Sequence, residues 1–293
     1  MMATIPEDIE VRAPAKPPGL FGKILEVRHS WVAVVGLLLV SFWVAVALLA
    51  PYLPLYDPNA QDFMALANPY PGGAHLLGTD MLGRDMLSRV MWGARTVLVV
   101  APIAVVTAYL IGCTMGVVAG YFGGWTDIVF SRIADIVLSF PVIILYLIII
   151  ALFGASAVNI VIAVTFTAAP QIMRIVRGLT LDIKNREYVT AAQIRGESAI
   201  YIMAVEILPN ARGPLIVDAC LRMGYTIIAI GVLGFLGLGL PPPDPDWGGM
   251  VKDNYGLMSV YPHMALIPAA AISSLVIGFN LLADGLRELA LKD

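Results

Sequence analysis

EYVTAAQIRGESAIYIMAVEILPN, from Glu187 to Asn210, is the stretch whose reading decides the fold. It carries Glu187, Arg195, Glu197 and Glu206, with Arg186 just before it, between two segments that are almost wholly apolar. Charge at that density does not lie in hydrocarbon. Ala191 and Ala192 are small, Gly196 breaks a helix, and Leu208-Pro209 punctuates the far end. Such a loop between membrane spans is either a passive connector or a docking surface. Its flanks have to decide.

The composition points to a membrane. Hydrophobic residues make up 59% of the 293 and charged residues 13%, with a mean hydropathy of +0.84. Soluble chains carry about 25% charged residues, so the deficit argues for an integral membrane protein. A formal net charge of -3 offers nothing to nucleic acid. Cys113 and Cys220 both fall in apolar runs and read as small buried hydrophobes. With only His29, His75 and His263 beside them, neither a disulfide framework nor a zinc spacing is available.

Outward from the opening stretch, apolar runs repeat. On its C-terminal side a span covers about Leu215–Leu240, PPPDPDWGG (241–249) reads as a loop, and a last span covers about Leu266–Leu282. On its N-terminal side Asn159–Ile175 forms a span broken by Pro170, joined by Gly154-Ala-Ser to another. That span runs from about Asp127 to Phe153, with Pro141 as a kink and Arg132 and Asp135 spaced to pair. GYFGGW (120–125) reads as a turn, and Thr96–Val118 as a span whose Pro102, Gly112 and Gly116 are tolerated once neighbours cover the backbone. Residues 51–95 form a polar loop in which Met86–Trp92 is expected as a short interfacial helix, Arg89 and Arg95 reaching for headgroups. Trp31–Ala50 is the first span: twenty residues at 1.5 Å cover roughly 30 Å, the hydrocarbon thickness. A signal peptide has a shorter apolar core, so this span is expected to be retained as an anchor. Residues 1–30 read as a mobile tail and 284–293 as a second tail.

The expected fold is therefore all-α and polytopic, with six transmembrane helices. An even number puts both termini on one side, and a core of five helices (96–283) follows the first helix and its loop. With the tails inside, Lys and Arg number twelve on cytoplasmic segments against four outside, so the termini and the 179–212 loop are expected in the cytoplasm. Arg84, Arg89 and Arg95 do not fit that rule.

Transport against a gradient needs energy. A P-loop requires Gly-x-x-x-x-Gly-Lys-Ser/Thr; Gly78-TDML-Gly83-Arg84-Asp85 lacks the lysine and puts a carboxylate where the hydroxyl belongs. No ATP site is expected on this chain. A self-sufficient secondary transporter or channel would carry charge within its spans. Asp218 and Arg222, four apart on one helix face, are the best candidates: a pair that satisfies itself near the membrane edge, or a polar point on a pathway. Gly224, Gly231, Gly234, Gly237 and Gly239 allow close helix packing or leave room for a pathway. Trp247 reads as an interfacial belt residue. Sequence signatures of intramembrane proteases are missing.

At this point the residues resemble a known family. Glu187-Tyr-Val-Thr-Ala191-Ala192, then Gly196, then Ile207-Leu208-Pro209-Asn210 resembles the cytoplasmic loop of the permease subunits of bacterial ABC importers. HLLGTDMLGRDMLSR (75–89), WGART (92–96), GYFGGWTD (120–127), SFP (139–141), RGLTLDIKNREYVTAA (177–192) and FLGLGLPPPDPDW (235–247) are similar to the dipeptide/oligopeptide/nickel branch, and to the second permease of each pair. The matches cover about residues 75–265. This chain departs from the branch at Glu206, where His is frequent, at Gly234, where Ser is frequent, and at Ile230, where Glu is frequent.

The resemblance implies a type I ABC importer permease fold and a coupling helix around Ala191 and Ala192, ended by Gly196, that docks on an ATPase. Glu187 and Arg195 would meet partner charges of opposite sign. It implies as partners a homologous permease, two ATPase subunits that carry ATP and Mg, an extracytoplasmic binding protein and membrane lipid. Short peptides are the implied cargo, with nickel, glutathione-like or opine solutes as alternatives. No covalent reaction is implied on this chain.

Overall fold

A computed structural model describes residues 30–241 and 243–290; the 1–29 part of the expected tail and residues 291–293 lie outside them. Among the described residues every regular element is helical, and pairing between extended segments is confined to isolated bridges such as Gln61 with Arg84. Helix α1 is Trp31–Leu49, begun by Ser30, whose hydroxyl accepts from Ala33 N–H. Helix α2 is Met86–Phe122, α3 Gly124–Leu138, α4 Val142–Phe153 and α5 Ala157–Ile183. The short helix α6 is Glu187–Ile194, and α7 is the continuous helical segment Ala199–Phe235. Trp247–Asn254 forms α8 and Pro262–Ala290 forms α9.

Five of these helices are long and apolar enough to cross a membrane, and the count is six if α3 and α4, a pair bent by 86°, together form one span. The expected kink at Pro141 is thus a break. Pro141 is extended, with ψ at 127°, and it lacks the N–H that would continue the ladder from α3.

One expectation is corrected at α2. The short interfacial helix and the span after it are a single helix of 37 residues, capped by Asp85, which accepts from Ser88 N–H at 2.7 Å. Arg89 does not reach for headgroups: it is 4% exposed and donates to the Pro58 carbonyl at 2.9 Å. Arg95 is exposed and lies over the Trp92 ring. A second correction concerns 241–249, which is loop only as far as Asp246. Trp247 opens α8 and is fully buried, donating to the Val90 carbonyl at 2.9 Å. An indole at a span end looks alike in sequence whether it anchors in headgroups or plugs a bundle.

Small residues set how closely the long helices approach. On α2, Gly112, Gly116 and Gly120 lie four apart on one face. A Cβ on them would sit 2.7 Å from Ala169 O, 2.6 Å from Met173 O and 2.7 Å from Thr180 Cβ, all on α5. Gly36 and Gly278 do the same between α1 and α9, where Gly36 faces the Gly278 carbonyl. Van der Waals contact between backbones is the means by which helices associate where no hydrophobic effect drives them together.

Ser30 donates to Glu288 Oε2 at 2.9 Å, so the first and last described turns meet on one face. Gly224 lies beside Asn280 and Gly231 beside Ile272, so α7 and α9 run antiparallel. That places α6, just before α7, on the same face as the chain ends; call it the near face. The far face carries residues 50–85 and α8. Two cores follow this division. The larger includes Trp43, Met86, Ile150, Ile160, Ile227, Leu233, Trp247 and Leu275. The smaller, at the near face, joins Ile172, Val176 and Ile183 to Val189, Ala192, Ile202 and Ile207.

Candidate functional site: a docking helix and a cavity closed by a polar clasp

Helix α6 is short, and both its ends are determined locally. Ile194 is the last helical residue and Arg195 the C-cap, and Gly196 follows at φ +77°. Gly196 N–H donates to Gln193 O at 2.9 Å and Glu197 N–H to Ala192 O at 3.2 Å. These two bonds are the pair that closes a helix through a left-handed glycine, satisfying its last carbonyls. Ser198 then caps α7 by accepting from Tyr201 N–H. A widened turn, Ile202–Ile207, precedes Pro209; the missing proline N–H and the ring's clash with the carbonyl four residues earlier account for it.

The faces of α6 differ. Val189 and Ala192 are fully buried in the near-face core. Ala192 therefore serves packing within the chain, whereas Ala191 is exposed. Glu187, Ala191, Ile194 and Arg195 share the outer face, and Ile194 is 83% exposed. Ile200 is also largely exposed. Neither isoleucine was singled out in the sequence, although the 187, 191, 194 spacing marks one helix face. Arg195 lies 3.7 Å from Glu197 and 3.9 Å from Glu206, and among the described residues Glu187 makes no ion pair.

Asp218 and Arg222 are brought together and joined to two other helices. Arg222 Nε donates to Asp218 Oδ2 at 2.7 Å, and Arg222 Nη1 to Gln171 Oε1 on α5 at 3.2 Å. The Tyr109 hydroxyl on α2 donates to the same Asp218 carboxylate. One polar clasp therefore spans α2, α7 and α5. Above it lies a half-open cavity of about 360 Å³, walled by Val142 and Tyr146 of α4, Val164 and Thr167 of α5, and Thr226 and Val232 of α7.

Gly231 and Gly234 belong to a different part of the molecule. Gly248 of α8 abuts the Gly231 carbonyl, and Gly234 and Gly239 flank the Asp246 carboxylate. They make room for α8. Asp246 accepts from Gly248 and Gly249 N–H at 3.1 and 3.3 Å, and burial pushes its pKa up to about 6 against that support. Nearby, Arg84 pairs with Asp80 at 2.6 Å, and Arg89 Nε lies 3.7 Å from the same carboxylate. Two of the three far-face arginines that broke the charge rule, Arg84 and Arg89, thus lie against one buried aspartate. On the same face His75 sits between Asp85 at 2.9 Å and Asp62 at 3.4 Å.

This architecture defines a multi-pass membrane protein whose near face presents a rigid exposed helix. Residues 112–292 match the model of the binding-protein-dependent transport system inner membrane component. Residues 26–71 match that of the N-terminal TM domain of oligopeptide transport permease C. The chain is 39% identical over 291 residues to the glutathione transport system permease protein GsiD of Pectobacterium atrosepticum, covering 98% of this chain and 95% of that protein. It is 36% identical to the dipeptide transport system permease protein DppC of Haemophilus influenzae, covering 87% and 88%, and 37% identical to that of Alkalihalophilus pseudofirmus, covering 90% and 86%. The chain belongs to the inner-membrane permease family of ABC importers, in its dipeptide/oligopeptide branch.

Proposed function

We propose that this chain is one of the two permeases of an ATP-driven importer of short peptides, with its termini and α6 in the cytoplasm. In this reading the cavity beside α4, α5 and α7 is its share of the translocation pathway, completed by a homologous permease. Two ATPase subunits hold ATP and Mg and dock on α6; an extracytoplasmic binding protein delivers cargo to the far face. The chain itself makes and breaks no covalent bond. Glutathione is the second reading, favoured by the likeness to the glutathione permease.

The observation that supports this reading best is the build of α6. Val189 and Ala192 seat it in the same core as α5 and α7, so a push on its outer face moves two pathway helices rather than a slack loop. Ile194 offers an apolar anchor at the C-terminal end of that face, the kind of residue that dominates docking energetics once desolvated. Closing and opening of the ATPase pair would then switch the bundle between two packings.

Replacing Ile194 with Asp tests it. In the complete complex, uptake is expected to fall by about tenfold or more, the loss of one anchor, while membrane insertion and permease pairing persist. Normal uptake would overturn the docking assignment. Solute uptake by this chain alone in liposomes, with no ATPase, would overturn the importer reading as a whole.

A further inference from the structure

We propose that Arg222 is a recognition point for a carboxylate of the cargo, an inference that rests on the importer reading above. Among the described residues Arg222 is the one charged residue on the cavity wall, which is otherwise lined by apolar side chains, a few hydroxyls and the Gln171 amide. Its counter-ion Asp218 is not on that wall. The cavity therefore meets the guanidinium and not the carboxylate that balances it.

The hydrogen-bond inventory points the same way. A guanidinium has five N–H donors. Arg222 spends two of them, Nε on Asp218 and Nη1 on Gln171. Among the described residues these two bonds leave guanidinium N–H groups that can donate to a planar, bidentate acceptor, and a carboxylate is the group that fits that fork. An ionised residue within a membrane bundle is costly, and such residues characteristically pair with one another and mark substrate pathways. Dipeptides and glutathione both carry a free carboxylate, so the site suits either cargo.

Position gives the contact a consequence. Along α7 and α5 the wall advances from Val232 and Val164, toward the far face, to Arg222 and Gln171, toward the near face. Cargo entering from the far face slides past apolar wall and reaches the guanidinium last. Beyond it the clasp from Gln171 through Arg222 and Asp218 to Tyr109 closes the way. A carboxylate held by the remaining donors draws the guanidinium toward the cavity and away from Gln171, and so loosens the tie between α5 and α7 at the point cargo must pass.

The test uses the assembled complex in proteoliposomes with saturating binding protein, and radiolabelled dialanine, dialanine amide and glutathione as probes. The readout is the ratio of maximal uptake of free acid to amide, compared between wild type and variants, so that any preference of the binding protein cancels. Arg222→Gln and Arg222→Met are expected to lower that ratio by about tenfold, the worth of one charged hydrogen bond, while Arg222→Lys keeps most of it. The glutathione arm tells which source of carboxylate the complex carries. If Gln and Met variants lose acid and amide uptake equally, Arg222 is a structural clasp and the proposal is overturned; an unchanged ratio overturns it too. Absence of ATP-dependent uptake of all three probes by the wild type is the different result that sinks the peptide reading itself.

Discussion

Single residues on the far face are set to respond to pH. The Asp246 pKa is pushed up to about 6 by burial, above the ordinary carboxylate value near 3.9. The folded state therefore holds that proton more tightly than the unfolded state, and stability falls as pH rises from about 4 to about 6. Asp246→Asn removes the slope, although its amide must still find the two glycine N–H donors. His75 is pulled down by burial, but the carboxylates of Asp85 and Asp62 raise it overall above the usual histidine range. Its contribution is fully present below the unfolded value near 6.5 and is lost as pH rises through the folded one. Thermal unfolding in detergent across this range should show the wild type most stable on the acid side. Asp246→Asn should flatten the lower window and His75→Gln the upper one. A flat wild-type profile would contradict both assignments.

At the scale of the elements, backbone approach is the quantity to perturb. Gly116 packs against Met173 O and Val176 of α5, so Gly116→Val has to push two helices apart. The expected cost is about 1–3 kcal/mol, that of overpacking a filled site, read as a lower midpoint on detergent unfolding. Gly178 lies on the exposed side of α5 with nothing near an added Cβ. There Gly178→Ala should stabilise by about 0.5–1 kcal/mol through helix propensity alone. If both substitutions act alike, the close approach of α2 to α5 is wrong. These elements also show what the sequence carries and what it hides. Hydropathy marks α1 and α5 because their apolar runs are long, and the Ala-Ala-then-Gly pattern marks α6 down to its last residue. The continuity of Met86–Trp92 with the span after it is hidden because Arg89 and Arg95 interrupt the hydropathy signal. Only the fold reveals that Asp80, nine residues earlier, sits beside Arg89. Ala192 and Ala191 look alike in the chain, and just their register on α6 separates core from surface.

For the whole molecule, side is the property to test. The hydrogen bond from Ser30 to Glu288 puts both described ends on one face, and the antiparallel α7 and α9 put α6 there too. Orientation then follows from charge. The near-face loops hold exposed basic residues: Arg186, paired with Asp182, and Arg195, near Glu197 and Glu206, are each more than half exposed. Arg84 and Arg89 on the far face are tied to Asp80, and Arg89 is buried. The positive-inside rule counts Lys and Arg near the span ends, and the expected orientation with the near face in the cytoplasm rests on that count. Two single-cysteine variants, built after replacing Cys113 and Cys220 with Ala, turn this into a measurement. Met64 on the far face is 87% exposed and Gln193 on α6 is exposed, so neither substitution disturbs a core. In intact cells a membrane-impermeant maleimide should label Met64→Cys and leave Gln193→Cys untouched until the membrane is opened. The reverse pattern would put α6 outside the cell, where no ATPase could reach it. Labelling of both in intact cells would mean that the two faces are not separated by the membrane at all.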